Sequence, residues 1–222
     1  MLSPDTLKFL KALQKNNNKP WFDLHRKEYE AAKQDHLALV QAVIDLYGKK
    51  DASINILTAK ECIFRINRDV RFSKDKSPYK VNFGASINKA GKKAWNSAGY
   101  YFHIEPGKSF AGGGLYMPEA PVLKMARQEI DYNLGAFQKI LSDKKFKSVY
   151  GDLDRSSEIS LSRIPKGYEP DNPAAPHLKL KGYIAMVNIP DEVLKSKAAT
   201  KTIAAAFEAL RPLVDFLNKA VS

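Results

Sequence analysis

The apolar residues of this chain change their period repeatedly, and those changes limit the fold more than any other feature. Up to Gly48 they keep helical spacing, first in Leu7, Leu10 and Leu13, then in Phe22, Tyr29, Leu37, Val40, Ile44 and Tyr47. From Cys62 the period falls to two. Phe64, Ile66, Val70 and Phe72 share one face of a strand predicted over 62–72, and Arg65, Asn67, Asp69 and Arg71 share the other. Arg68 interrupts the apolar face, which marks a bulge or a strand end there. A polar turn at 73–78 leads into a second strand with Val81, Phe83, Ala85 and Ile87 on one face. Residues 99–105 read as a third strand, and Phe110 begins its partner after the Pro106-Gly107 turn.

Helical spacing returns after Pro118, in Val122, Met125, Ala126, Ile130 and Leu134 and then in Phe137, Ile140 and Leu141. Ile159 and Leu161 predict a short strand. Residues 183–188 are apolar on both faces and predict a central one. Asp191 opens a last helical region that Pro212 should kink or split. Short turns between consecutive strands favour an antiparallel meander. The expected fold is a single α+β domain over 1–222: a mostly antiparallel sheet, meander plus a returning strand, flanked by helices.

Charge is distributed unevenly over this frame. The 222 residues carry a formal net charge of +12. Between 60 and 93 there are 10 basic and 3 acidic side chains, so 34 residues hold +7 of it. A local excess of this kind attracts anions. The single cysteine, Cys62, excludes an internal disulfide and a cysteine-only metal cage. No apolar run reaches membrane-spanning length, and the first residues lack a signal-peptide core, so a cytoplasmic protein without a membrane partner is expected.

Three constellations carry candidate chemistry. In the first, Arg65 and Arg71 are expected to clamp an anion, with Asp69 holding their orientation. Lys76, Tyr79 and Lys80 in the following turn add charge and a hydroxyl, and Lys181 joins them if its strand borders this face. In the second, Tyr101, His103 and Glu105 fall on one face of the third strand, which suits either a structural, hydrogen-bonded histidine or His103 as a proton-transfer group with Glu105 as its partner. No histidine or cysteine stands at a recognised metal spacing, so no metal or cofactor is assigned. The third is Gly112-Gly113-Gly114, whose central Gly113 could place backbone N–H groups around an anion. The same triplet also suits a close approach between strands.

The run Phe64-Arg65-Ile66-Asn67-Arg68-Asp69-Val70-Arg71-Phe72-Ser73-Lys74-Asp75-Lys76-Ser77-Pro78-Tyr79-Lys80 resembles the signature segment of a bacterial and fungal family known as domain of unknown function 2461. Residues 18–29 with Trp21-Phe22, residues 99–114, and Arg163-Ile164-Pro165-Lys166-Gly167-Tyr168 resemble it too, in the same order. The resemblance implies a single-domain protein of this size and brings neither an activity nor catalytic residues. Function is therefore read from the residues. The first expectation is a basic pocket for a phosphate-bearing or other anionic small ligand, with hydrolase or transferase chemistry if His103 acts. The alternatives are a sequence-nonspecific nucleic-acid binder and an interaction module for an acidic protein surface.

Overall fold

The computed structural model describes residues 1–89, 91–93 and 96–221. Its α+β character is as the sequence predicts. Helix α1 (Pro4–Lys15) starts where the Ser3 side chain accepts the Asp5 N–H, with proline in the first turn. The longer predicted helix is two: α2 (Lys19–Leu24), capped by the Asn18 side chain, and α3 (Arg26–Tyr47). They break at His25, whose backbone leaves the helical range. α1 packs along α3 through the leucine stripe that its period announced. A one-turn helix, α4 (Ala59–Cys62), follows under a Thr58–Glu61 capping box.

Four strands, β1 (Phe83–Ile87), β2 (Gly99–Ile104), β3 (Phe110–Leu115) and β4 (Tyr183–Asn188), form one antiparallel sheet in the order β1-β2-β3-β4. Between β3 and β4 lie α5 (Ala120–Tyr132), α6 (Leu134–Ser142), α7 (Lys144–Tyr150) and the one-turn α8 (Ala175–Leu178). α9 (Asp191–Lys195) and α10 (Ala199–Ala220) close the chain.

Four local expectations need correction. The strand predicted over 62–72 is not continuous. Pairing survives only at isolated bridges, Ile63 with Ala85 and Asn67 with Tyr79. Beyond Arg68 the polar side chains bond within their own loop, and Phe72, expected on the apolar face, is 95 % exposed. Ile159 and Leu161 likewise flank a single bridge, Ser160 with Leu180. β4 stands last in the sheet order and not at its centre. Its apolar character has another cause: the Asp154 N–H bonds to the Ile184 carbonyl at 2.8 Å, so a non-strand segment covers that edge. Finally, α10 runs through Pro212 uninterrupted. Pro212 lies on the exposed side, where the carbonyl it leaves unbonded can be hydrated.

The chain forms two compact units, each assembled from separate stretches of sequence. The first takes Met1–Lys92, Tyr101–Ala111 and Asn188–Ala205. Its core includes Leu10, Val40, Ile44, Phe83, Phe102 and Ile104. The second takes Lys93–Tyr100, Gly112–Val187 and Ala206–Ser222. There Tyr100 stacks on Phe207 at 4.9 Å and Phe137 meets Tyr183 edge-on at 6.0 Å.

Candidate functional site

The alternation along β2 sends Tyr100, Phe102 and Ile104 into the core and leaves Tyr101, His103 and Glu105 half-buried on the other face. His103 Nε2 lies 3.0 Å from Glu105 Oε2, and the Tyr101 hydroxyl lies 3.2 Å from His103 Nδ1. A carboxylate only accepts, so with a neutral ring Nε2 carries the proton and Nδ1 accepts from Tyr101. Phe110, opposite on β3, stacks on the imidazole at 4.8 Å and 9°. The turn that follows β2 is pinned. The Glu105 N–H donates to Ser109 Oγ, that hydroxyl donates back to the Glu105 carbonyl, and the Gly107 N–H donates to the Asp191 carboxylate. Gly107 holds φ +74°, a conformation that favours glycine.

The same face continues onto the basic segment. Phe64 donates its N–H to the Gly84 carbonyl, and its ring lies 6.4 Å from that of Tyr101. Gly84 makes room for this: a Cβ there would stand 2.5 Å from the Tyr101 hydroxyl. Lys80 Nζ sits 5.3 Å from the Phe64 ring centroid. Burial, and then the charge of Arg65, hold the Lys80 ammonium below its ordinary pKa. Arg65 also helps keep Asp69 ionised, after the hydrogen bonds from Arg71. Arg65 is thus within electrostatic reach of both Asp69 and Lys80.

Other predicted residues have different employment. Arg71 forms a two-point pair with Asp69, Nε to Oδ1 at 3.0 Å and Nη2 to Oδ2 at 2.6 Å. Asp69 therefore engages one arginine and does not bridge two. Lys76 Nζ donates to the Val70 carbonyl at 3.0 Å. Tyr79 is buried, stacked on Phe22 at 3.9 Å, and its backbone exchanges two hydrogen bonds with the Asn17 amide. It anchors the segment through packing.

Gly113 and Lys181 belong to the second unit. The glycine triplet there serves strand contact. A Cβ on Gly112 or Gly114 would come within 2.0 Å of the Ala185 or Tyr183 carbonyl oxygen, and one on Gly113 within 2.1 Å of Gly99 O. The Lys181 N–H bonds to the Ile159 carbonyl, and its side chain is half-buried.

Phe64, Gly84 and Phe110 complete the site and were not singled out from the sequence. The signal was present in the alternation that places Phe64 and Phe110 beside Tyr101 and His103, but it needs the strand register to be read. Cys62 is buried, and burial pushes its thiol up to about 11, so it packs as an apolar residue. Among the described residues no group of three or more His, Cys, Asp or Glu could hold a metal ion. A cleft of about 580 Å³ between α1 and the α2–α3 segment, lined by Phe9, Trp21, His25 and Glu28 among others, contains none of the predicted residues.

With the geometry in place, the chain can be set beside known proteins. Residues 5–216 match the family of conserved hypothetical proteins with domain of unknown function 2461 (DUF2461), and the chain belongs to that family. No curated protein and no solved structure gives a significant match. Among the described residues no helix is long and apolar enough to cross a membrane.

Proposed function

We propose that the face built by Phe64, Tyr101, His103 and Phe110 binds a phosphate-bearing or other anionic small ligand, with Arg65 and Lys80 as its cations. One observation carries this reading. Lys80 is half-buried beside a second cation, and among the described residues neither Arg65 nor Lys80 is hydrogen-bonded to a carboxylate. Lys80 is partly desolvated and feels the charge of the exposed Arg65 as well, and an anion relieves both costs. The ring of Phe64, with Lys80 over it and Tyr101 against it, ties the cations to the proton-transfer group.

The chemistry that suits this arrangement is hydrolysis or transfer at a phosphoryl or acyl centre. Glu105 fixes the His103 tautomer and stabilises the imidazolium that forms when His103 accepts a proton. The lone pair of Nδ1 is the base, and the Tyr101 hydroxyl is the group through which a proton reaches it.

Titration calorimetry with inorganic pyrophosphate tests the cation pair. Lys80→Met and Arg65→Ala should each weaken binding by about tenfold, as expected for loss of one charge-assisted hydrogen bond. His103→Gln should leave binding within about twofold and remove turnover of any ester that the parent hydrolyses. No binding by the parent, or unchanged binding in both cation variants, overturns the site.

A further inference from the structure

Residues 68–77 form a loop that is held closed by its own side chains. Arg68 pairs with Asp75 and donates to the Ser77 carbonyl at 3.2 Å. Asp75 also accepts from the Ser77 N–H at 2.9 Å and from the Ser77 hydroxyl at 2.6 Å. These bonds, those from Ser77 before that from Arg68, hold its carboxyl down to about 2. Lys76 ties back to the Val70 carbonyl, and Arg71 is locked to Asp69. None of these bonds engages the side chain of Phe72. Phe72 projects from the tip at 95 % exposure, with the Arg71 guanidinium 5.8 Å from its ring centroid.

An exposed phenylalanine on a loose loop needs no explanation. Here the surrounding polar groups are spent on fixing the backbone beneath it, so the ring is presented in one place and little entropy is lost when a partner covers it. The charges around it are one-sided. Arg68 and Arg71 are neutralised by Asp75 and Asp69. Lys74 has no carboxylate partner among the described residues, and the Lys76 ammonium meets only a carbonyl.

We propose that this loop is a stacking platform for single-stranded nucleic acid. A base stacks on Phe72, and the adjoining phosphates lie against Lys74 and Lys76. The proposal stands on residues other than Arg65, Lys80 and His103, so it does not depend on the small-ligand site. An unpaired strand supplies what the loop asks for: an exposed planar ring flanked by repeated negative charge. A duplex hides its base faces. An anionic membrane offers charge, but the tip carries one exposed aromatic where stable membrane anchoring takes a larger apolar surface.

The test is fluorescence anisotropy of a labelled oligothymidylate 15-mer titrated with the full chain across a salt series. Two phosphate contacts predict a slope of log affinity against log salt of about −1.4. Phe72→Ala should weaken binding by roughly 10- to 100-fold, and Phe72→Trp should restore it. Lys74→Gln should reduce the slope by about 0.7. Because Phe72 touches solvent on nearly all sides, its variants should keep the parent melting temperature, which circular dichroism checks. Pyrophosphate binding by Phe72→Ala should also match the parent, and that separates failure here from failure of the small-ligand site. The proposal is overturned by absence of binding at 50 mM salt, by equal binding of duplex and single strand, or by equal affinity in Phe72→Ala. Phe72-dependent binding to phosphatidylserine vesicles without oligonucleotide binding would also overturn it, in favour of a membrane surface.

Discussion

His36 and His103 lie against opposite faces of β2, and the two faces use the same side chain in opposite ways. On the core face His36 is 2 % exposed, stacked on Phe83 at 5.2 Å and meeting Phe102 edge-on. The Gly84 backbone is near enough to favour its protonated form. Even so, neither ring nitrogen reaches hydrogen-bond geometry, and burial dominates, holding the imidazole down to about 4. On the outer face His103 has a partner for each nitrogen and an aromatic ring beside it. His36 therefore behaves as an aromatic spacer that cannot take up charge without cost. His103, with both nitrogens hydrogen-bonded, would be the proton-transfer group of the proposed site. Residue type alone does not separate these roles, and the side of the strand does.

Three perturbations would break or sharpen that contrast. The largest acts on the core face. Phe102→Ala should destabilise the protein by about 3–5 kcal/mol in urea unfolding, because His36 and Phe83 cannot collapse fully into the space.

Next is acid. An unfolded His36 titrates near 6.5 and the folded one near 4. At neutral pH both states are uncharged there. As pH falls from 6.5 to 4 the unfolded chain takes up a proton that the folded chain refuses. About 3 kcal/mol of stability should be lost across that window. His36→Phe keeps the stacking and should flatten that part of the pH–stability curve. A curve identical to the parent would show that His36 is not the group responsible.

The smallest effect comes from Gly84→Ala, which pushes on the outer face from the neighbouring strand. The new Cβ must displace the Tyr101 ring, at a cost of about 1–3 kcal/mol. The His103–Tyr101 hydrogen bond should be lost, while the His36 pH dependence remains. Denaturant melts at pH 7 and pH 5 report both.

The sequence was legible where a pattern repeats locally. The leucines of α1 and the alternation of β2 declare their own faces, and Tyr101, His103 and Glu105 could be grouped before any fold was known. The segment after Cys62 shows the limit. Phe64 to Phe72 alternates as a strand should, yet the side chains of Arg68, Asp69 and Asp75 bond the Ser77 carbonyl, the Arg71 N–H and the Ser77 N–H and close a loop. Period counts apolar positions and is blind to those bonds. It also could not show that Arg71 would be spent on Asp69, since the partner of a surface arginine is chosen by loop geometry. Tyr79 looked like a site residue because it sits among lysines. Its partner Phe22 comes from α2, far away in the chain, and only tertiary packing reveals it.

The discontinuous make-up of the first unit has a consequence for how the protein is made. Leu2 donates its N–H to the Leu194 carbonyl at 2.8 Å, so the opening residues of the unit are completed by some of its last. A ribosome that has just released Met1–Lys92 must still synthesise the stretch up to Ala205 before that unit has all its parts. At typical elongation speeds this takes on the order of ten seconds. Until Ile104 has been added, the leucine stripe of α1 can pair with α3, but β1 has no neighbouring strand. Nascent chains stalled before residue 101 should therefore be the form most in need of a chaperone.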